Sequence, residues 1–177
     1  ADDGMIIRGV GSEDVNGTIK FSDGIYSLDS TFESNGLINL VGRGAQGQKL
    51  KRNYGVDLVG MEIHGSDVRI KGEGGSAFKK SSKSSGVYLG ATNIQALNNV
   101  QIYGSSGSDV RNVKTSDGVM LDYSTIGGDT LKIKGYGVLG GDNVNQSSGV
   151  YLVGGSLDAT ELISIRGISG YGKELEL

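Results

Sequence analysis

A chain of 177 residues with 36% apolar side chains suits one domain with a continuous core, and its net charge of −3 argues against a general nucleic-acid binder. It contains no cysteine, which removes disulfides, thiolate zinc sites and a cysteine nucleophile from consideration. With 32 glycines and no proline, the chain turns often while keeping every backbone donor for sheet ladders.

The opening Ala1-Asp2-Asp3-Gly4 has neither the basic nor the apolar region of a signal peptide. No segment approaches the run of about 20 apolar residues that a membrane span needs. An export signal is therefore expected outside this sequence, and membrane insertion is not expected. Ile7-Arg8-Gly9 reads as the tail of a structural unit. Gly24-Ile25-Tyr26-Ser27-Leu28 opens the next, with one extra residue before its leucine, and Leu40-Val41-Gly42 closes it. Clearer copies follow at Gly55-Val56-Asp57-Leu58, Gly86-Val87-Tyr88-Leu89, Gly118-Val119-Met120-Leu121 and Gly149-Val150-Tyr151-Leu152, spaced by 31, 32 and 31 residues. Their closing signatures are Val68-Arg69-Ile70-Lys71-Gly72, Val100-Gln101-Ile102-Tyr103-Gly104, Leu131-Lys132-Ile133-Lys134-Gly135 and Ile163-Ser164-Ile165-Arg166-Gly167. Between the two signatures lies one isolated apolar position, Ile63, Ile94, Ile126 or Leu157.

Apolar residues two apart, many of them β-branched, have the period of half-buried strands. Each unit is thus predicted to hold three short strands separated by Gly, Ser, Asn and Asp turns, with a variable loop completing it. Such strands bury nothing alone, but stacked about 4.8 Å apart they form parallel sheets around one core. The predicted fold is an all-β, right-handed, single-stranded parallel β-helix of five to six rungs, with a loop inserted per rung. A sandwich or propeller does not need the same register at a near-constant 31 residues. In this register Val56/Leu58, Val87/Leu89, Val119/Leu121 and Val150/Leu152 point inward, while Asp57, Tyr88, Met120 and Tyr151 point out. A second outward column, Arg8, Val41, Lys71, Tyr103, Lys134 and Arg166, is mostly basic. In it Val41 and Tyr103 space the charges and Tyr103 is placed for a cation–π contact.

The loops repeat cations. Lys49, Lys80 and Arg111 recur at steps of 31, as do Arg52, Lys83 and Lys114. With Lys51 and Lys79 they are predicted to line one edge, suited to sulfated, sialylated or phosphorylated glycans. Inert solubilising charge is the competing reading.

Gly-Val-Tyr-Leu, a short strand around Ile or Leu, and then Ile-x-Gly-x-Gly, as in Ile70-Lys71-Gly72-Glu73-Gly74, resembles the repeats of filamentous haemagglutinin-like exoproteins. These are the passengers of bacterial two-partner secretion, and the resemblance covers about residues 24 to 172. It implies a secreted or cell-surface rod of a Gram-negative bacterium, exported through an outer-membrane transporter. Such a rod serves virulence and adhesion to host or neighbouring cells through a glycan or surface receptor, or forms the stalk of a contact-dependent growth inhibition toxin. It brings no catalytic residues to carry over. The 31-residue unit is longer than the coil usual in that family, which implies an insertion on every rung.

Polysaccharide lyases and hydrolases share this fold, but they need clustered carboxylates. Asp57, Asp122 and Asp158 lie in different local frames and read as turn residues. His64, the single histidine, reads as surface, with no triad beside it. Gly104-Ser105-Ser106-Gly107-Ser108-Asp109 lacks the apolar position of a calcium-binding glycine repeat, and Gly72-Glu73-Gly74 and Gly135-Tyr136-Gly137 precede no helix. The expected protein is one β-helical domain over residues 1–177, without enzyme activity, metal or cofactor. It is read as part of a longer rod, with weak end-to-end self-association through uncapped apolar ends.

Overall fold

The computed structural model describes residues 4–12, 15–108 and 112–175. Ala1–Asp3, Asp109 and Arg111 lie outside them. The protein is a parallel β-solenoid of about five turns of about 31 residues, without helix.

One rung shows how the sequence makes it. Gln46–Arg52 forms the first strand, Val56–Val59 the second, and Glu62–Gly65 and Asp67–Glu73 the third side. Stacking gives three parallel sheets of nine, six and five strands among the described residues. The five-stranded Gly-Val sheet aligns Val56, Val87, Val119 and Val150, then Leu58, Leu89, Leu121 and Leu152, as the repeat predicts. The isolated apolar position also aligns, Ile63 with Ile94, Ile126 and Leu157, and Phe32 holds the same column one rung earlier. Arg8, Val41, Lys71, Tyr103, Lys134 and Arg166 form one unbroken column. The cation–π contact on that face is Lys134 over Tyr136, at 5.0 Å from the ring centroid.

Both glycine signatures have one steric cause. A Cβ at Gly72 would overlap the carbonyl oxygen of Gly86, and Gly104 meets Gly118 in the same way. The end of the third side therefore crosses the start of the next Gly-Val strand backbone against backbone, and no side chain fits between. The main core fills the space enclosed by these two sheets, with Val56, Leu58, Ile63, Ile70, Val87, Leu89, Ile94 and Ile102 fully buried.

Four expectations are corrected. The inserted segment is not a loop. Val15–Phe21, Gln46–Arg52, Ser76–Lys83, Asn112–Thr115, Leu139–Gln146 and Tyr171–Leu175 stack as the six-stranded sheet. It has its own small core of Leu50, Ala77, Val113, Val138 and Val144. Asn53 closes the neck of this arm, since its amide accepts from the Ala45 N–H at 2.6 Å and donates to the Ala45 carbonyl at 3.0 Å. Ser84 donates to the Gly75 carbonyl at 2.5 Å one rung on. Stacking satisfies the backbone groups that a free loop would leave to water.

The second and third short strands, expected as separate strands divided by a turn, belong to one sheet. They fuse into single strands at Thr125–Tyr136 and Ser156–Ile168. The unit opening at Gly24 carries no insertion, because Ser27 pairs with Leu58 and Leu28 with Val59. Finally, Asp57 occupies the outward column but is fully buried. The cause lies at the corner that its neighbours form.

Candidate functional site

The predicted basic edge is only partly assembled. Lys80 pairs with Lys49, and Lys83 with Arg52, as the 31-residue step requires. The next step is 32, so Lys83 pairs with Thr115 and Ser81 with Val113. Lys114 therefore sits one position away from the Arg52–Lys83 column, beside Thr115. Arg111, expected to continue Lys49 and Lys80, lies outside the described residues. Lys80 and Lys114 are both exposed and flank a shallow depression with Asn112 and Asn145. Lys49 is exposed one rung earlier. Among the described residues the Lys49–Lys80 and Arg52–Lys83 columns lie on one sheet, and Lys114 does not continue the second.

A denser constellation lies where the six-stranded sheet turns into the Gly-Val sheet. A groove of 350 Å³ runs along this corner. Arg52, Lys83, Thr115 and Gln146, at the strand ends, form one wall. Tyr88, Met120 and Tyr151, outward on the Gly-Val sheet, form the other. Tyr54, Ser85 and Asp117 stand at the corner itself, each immediately before the opening glycine of its repeat.

The first rungs of this corner hold an ionic knot. Arg52 binds the carboxylate of Asp57. Its guanidinium carbon lies 5.3 Å from the Tyr54 ring centroid, 5.7 Å from Tyr26 and 5.9 Å from Phe21. Tyr54 stacks on Tyr88 at 5.4 Å. These rings and the guanidinium cover Asp57, which explains its burial on an outward column. Asp23 joins it from the preceding rung and accepts the Tyr54 N–H at 2.7 Å. Burial, with the Asp57 charge added, raises the Asp23 carboxyl to about 6 against the Tyr54 hydrogen bond. Burial also raises Asp57, with Arg52 opposing the shift, and it pushes the Tyr54 hydroxyl well above its usual range.

Farther along, Asp117 is fully buried, and its Oδ1 accepts the Ser148 N–H at 2.9 Å. Burial raises its carboxyl against the backbone and side-chain hydrogen bonds from Ser148. The Tyr88 hydroxyl donates to Asp122 at 3.1 Å.

By local sequence Asp57 and Asp122 are separate turn carboxylates, and Asp23, Tyr54 and Asp117 belong to no chemical motif. A readable signal did exist, since Asp23, Tyr54, Ser85, Asp117 and Ser148 recur immediately before the opening glycine of each unit. His64 is exposed, with Nε2 3.6 Å from Glu62. No group of three or more potential metal-ligating His, Cys, Asp or Glu side chains occurs among the described residues. No helix is long and apolar enough to cross a membrane. Comparison with protein-family models, with curated proteins and with solved structures gives no match to this chain.

Proposed function

We propose that the protein is a non-catalytic shaft of a secreted or cell-surface bacterial adhesin, similar in kind to the filamentous haemagglutinin-like exoproteins and exported through an outer-membrane transporter of the two-partner type. One observation carries this reading: the Gly-Val sheet keeps one register from rung to rung over a continuous main core. Such a solenoid is a stiff, quasi-one-dimensional scaffold, because each rung is held by its neighbours on both sides. Its function is then geometric, presenting side-chain columns at about 4.8 Å intervals along a rod. Adjacency of Lys49 to Lys80 favours a second, compatible reading, in which the basic columns engage acidic glycans.

Beads coated with the protein should adhere to epithelial cells more than albumin-coated beads do. Co-expression with a two-partner transporter should place the chain outside the cell. A glycan array read at low and at physiological salt tests the basic columns, since contacts between exposed charges weaken as salt is added. Lys49→Ser combined with Lys80→Ser should remove the salt-sensitive signal. Turnover of a polysaccharide panel without bead adhesion would overturn the shaft reading.

A further inference from the structure

The groove at the corner between the six-stranded and Gly-Val sheets has a feature that a solvated surface does not require. Two buried side-chain atoms of its lining lack a hydrogen-bond partner: Arg52 Nε and Asp117 Oδ2. A buried polar atom without a partner costs free energy that a bound donor or acceptor relieves. Asp117 lines the groove, so the groove is the side from which a donor reaches it.

The rest of the lining defines the ligand. Tyr88, whose ring stacks on Tyr54, and Tyr151, which is 37% exposed, line the outward wall. Flat aromatic faces beside a few placed polar groups suit a ligand with both C–H and O–H surfaces. The charges nearly balance. Lys83 is opposed by Asp117 and Asp122, and Arg52 is already paired with Asp57, so the lining favours neither a cation nor a polyanion. The groove touches four successive rungs, from Arg52 to Gln146, a span of about 14 Å at about 4.8 Å per rung. That repeat is close to the length of one pyranose in an extended glycan, so one ladder of equivalent positions meets one sugar per rung.

We propose that this groove binds a neutral, extended oligosaccharide, stacked on Tyr88 and Tyr151, with Asp117 accepting a sugar hydroxyl and Lys83 donating to a ring or hydroxyl oxygen. The site is distinct from the exposed Lys49–Lys80 column and does not rest on the adhesin reading, since a solenoid of any role could carry it.

Calorimetric titration of the whole chain with cellohexaose, mannohexaose and hyaluronan hexasaccharide tests the proposal. At least one neutral hexasaccharide should bind, with affinity unchanged between low and physiological salt. Asp117→Asn keeps an acceptor for the Ser148 N–H but replaces the unpaired oxygen with a donor, and should weaken binding about tenfold. Tyr88→Ala should weaken it at least as much, whereas Tyr88→Phe, which keeps the ring, should stay within about threefold of the parent. Circular-dichroism melts of each variant separate lost binding from lost fold. The proposal is overturned if no neutral hexasaccharide binds. It is also overturned if folded Asp117→Asn binds as the parent does, which would assign that oxygen to ordered water. Binding confined to hyaluronan and lost in salt would place recognition on the Lys49–Lys80 column instead and overturn the proposal.

Discussion

The two cores of this solenoid are built differently. The main core receives several apolar side chains from every rung, such as Val87, Leu89, Ile94, Val100 and Ile102, all buried. The arm core receives far less: Leu50 from one rung, Ala77 from the next, with Ser81 buried in the column where Leu50 and Val113 stand. What the arm lacks in apolar area it replaces with the polar neck at Asn53 and Ser84. A long insertion therefore becomes regular structure with little apolar content, provided its copies stack and their backbone groups pair between rungs.

The comparison breaks most visibly in the main core. Val87 is fully buried between Val56 and Val119, so Val87→Asp places an unpaired charge in the interior and should cost several kcal/mol. Circular dichroism should show loss of the cooperative melt, and an unchanged melt would contradict the register. In the arm, Leu50→Ala should cost about 2 kcal/mol, the low end for a buried leucine, because its core is thin. Hydrogen exchange should then quicken over Gln46–Arg52 while Val56–Val59 stays protected. Uniform quickening over both strands would mean that arm and rod unfold as one unit.

The corner joining the two regions supplies a smaller, pH-dependent effect. Folding raises Asp23 to about 6 from 3.8, so the folded state holds this proton more tightly than the unfolded chain. Its contribution to stability is fully present below the unfolded value and is lost as pH rises through about 6. Asp57 and Asp117 are shifted the same way. Asp67, lowered chiefly by its bond from Asn99, acts in the opposite sense, and its contribution is lost only on strong acidification. The melting temperature is expected to fall between about pH 4 and about pH 6.5, and Asp23→Asn should flatten that slope. An equal slope in the variant would remove Asp23 from the account.

The smallest effect tests the turn into the third side. Asp29, Gly60, Ala91, Tyr123 and Gly154 stand at successive copies of one left-handed position, with φ between 46° and 63°. Only glycine adopts that conformation without strain. Ala91→Gly should therefore stabilise by about 0.5 kcal/mol, net of the extra freedom glycine gives the unfolded chain. Thermal melts resolve it, and a lower melting temperature would mean that the Ala91 methyl packs favourably where it stands.

The sequence by itself determined the period, the parallel stacking, the inward Val and Leu ladders and the outward column from Arg8 to Arg166. Each of these rests on a side-chain alternation local to one strand, and the constant step between copies locks one strand to the next. Tertiary structure decided what has no such local signature. The arm carries too few apolar residues for its strands to announce themselves, so only the stacked neighbours show that it is a sheet. The single 32-residue step moves Lys114 off the Arg52–Lys83 column, a displacement that counting by 31 hides. Asp57 is polar and alternates outward, yet Arg52 and Tyr54 from the preceding corner and Tyr88 from the next rung close over it. Burial there is set by how two sheets meet, and alternation within one strand carries no information about that angle.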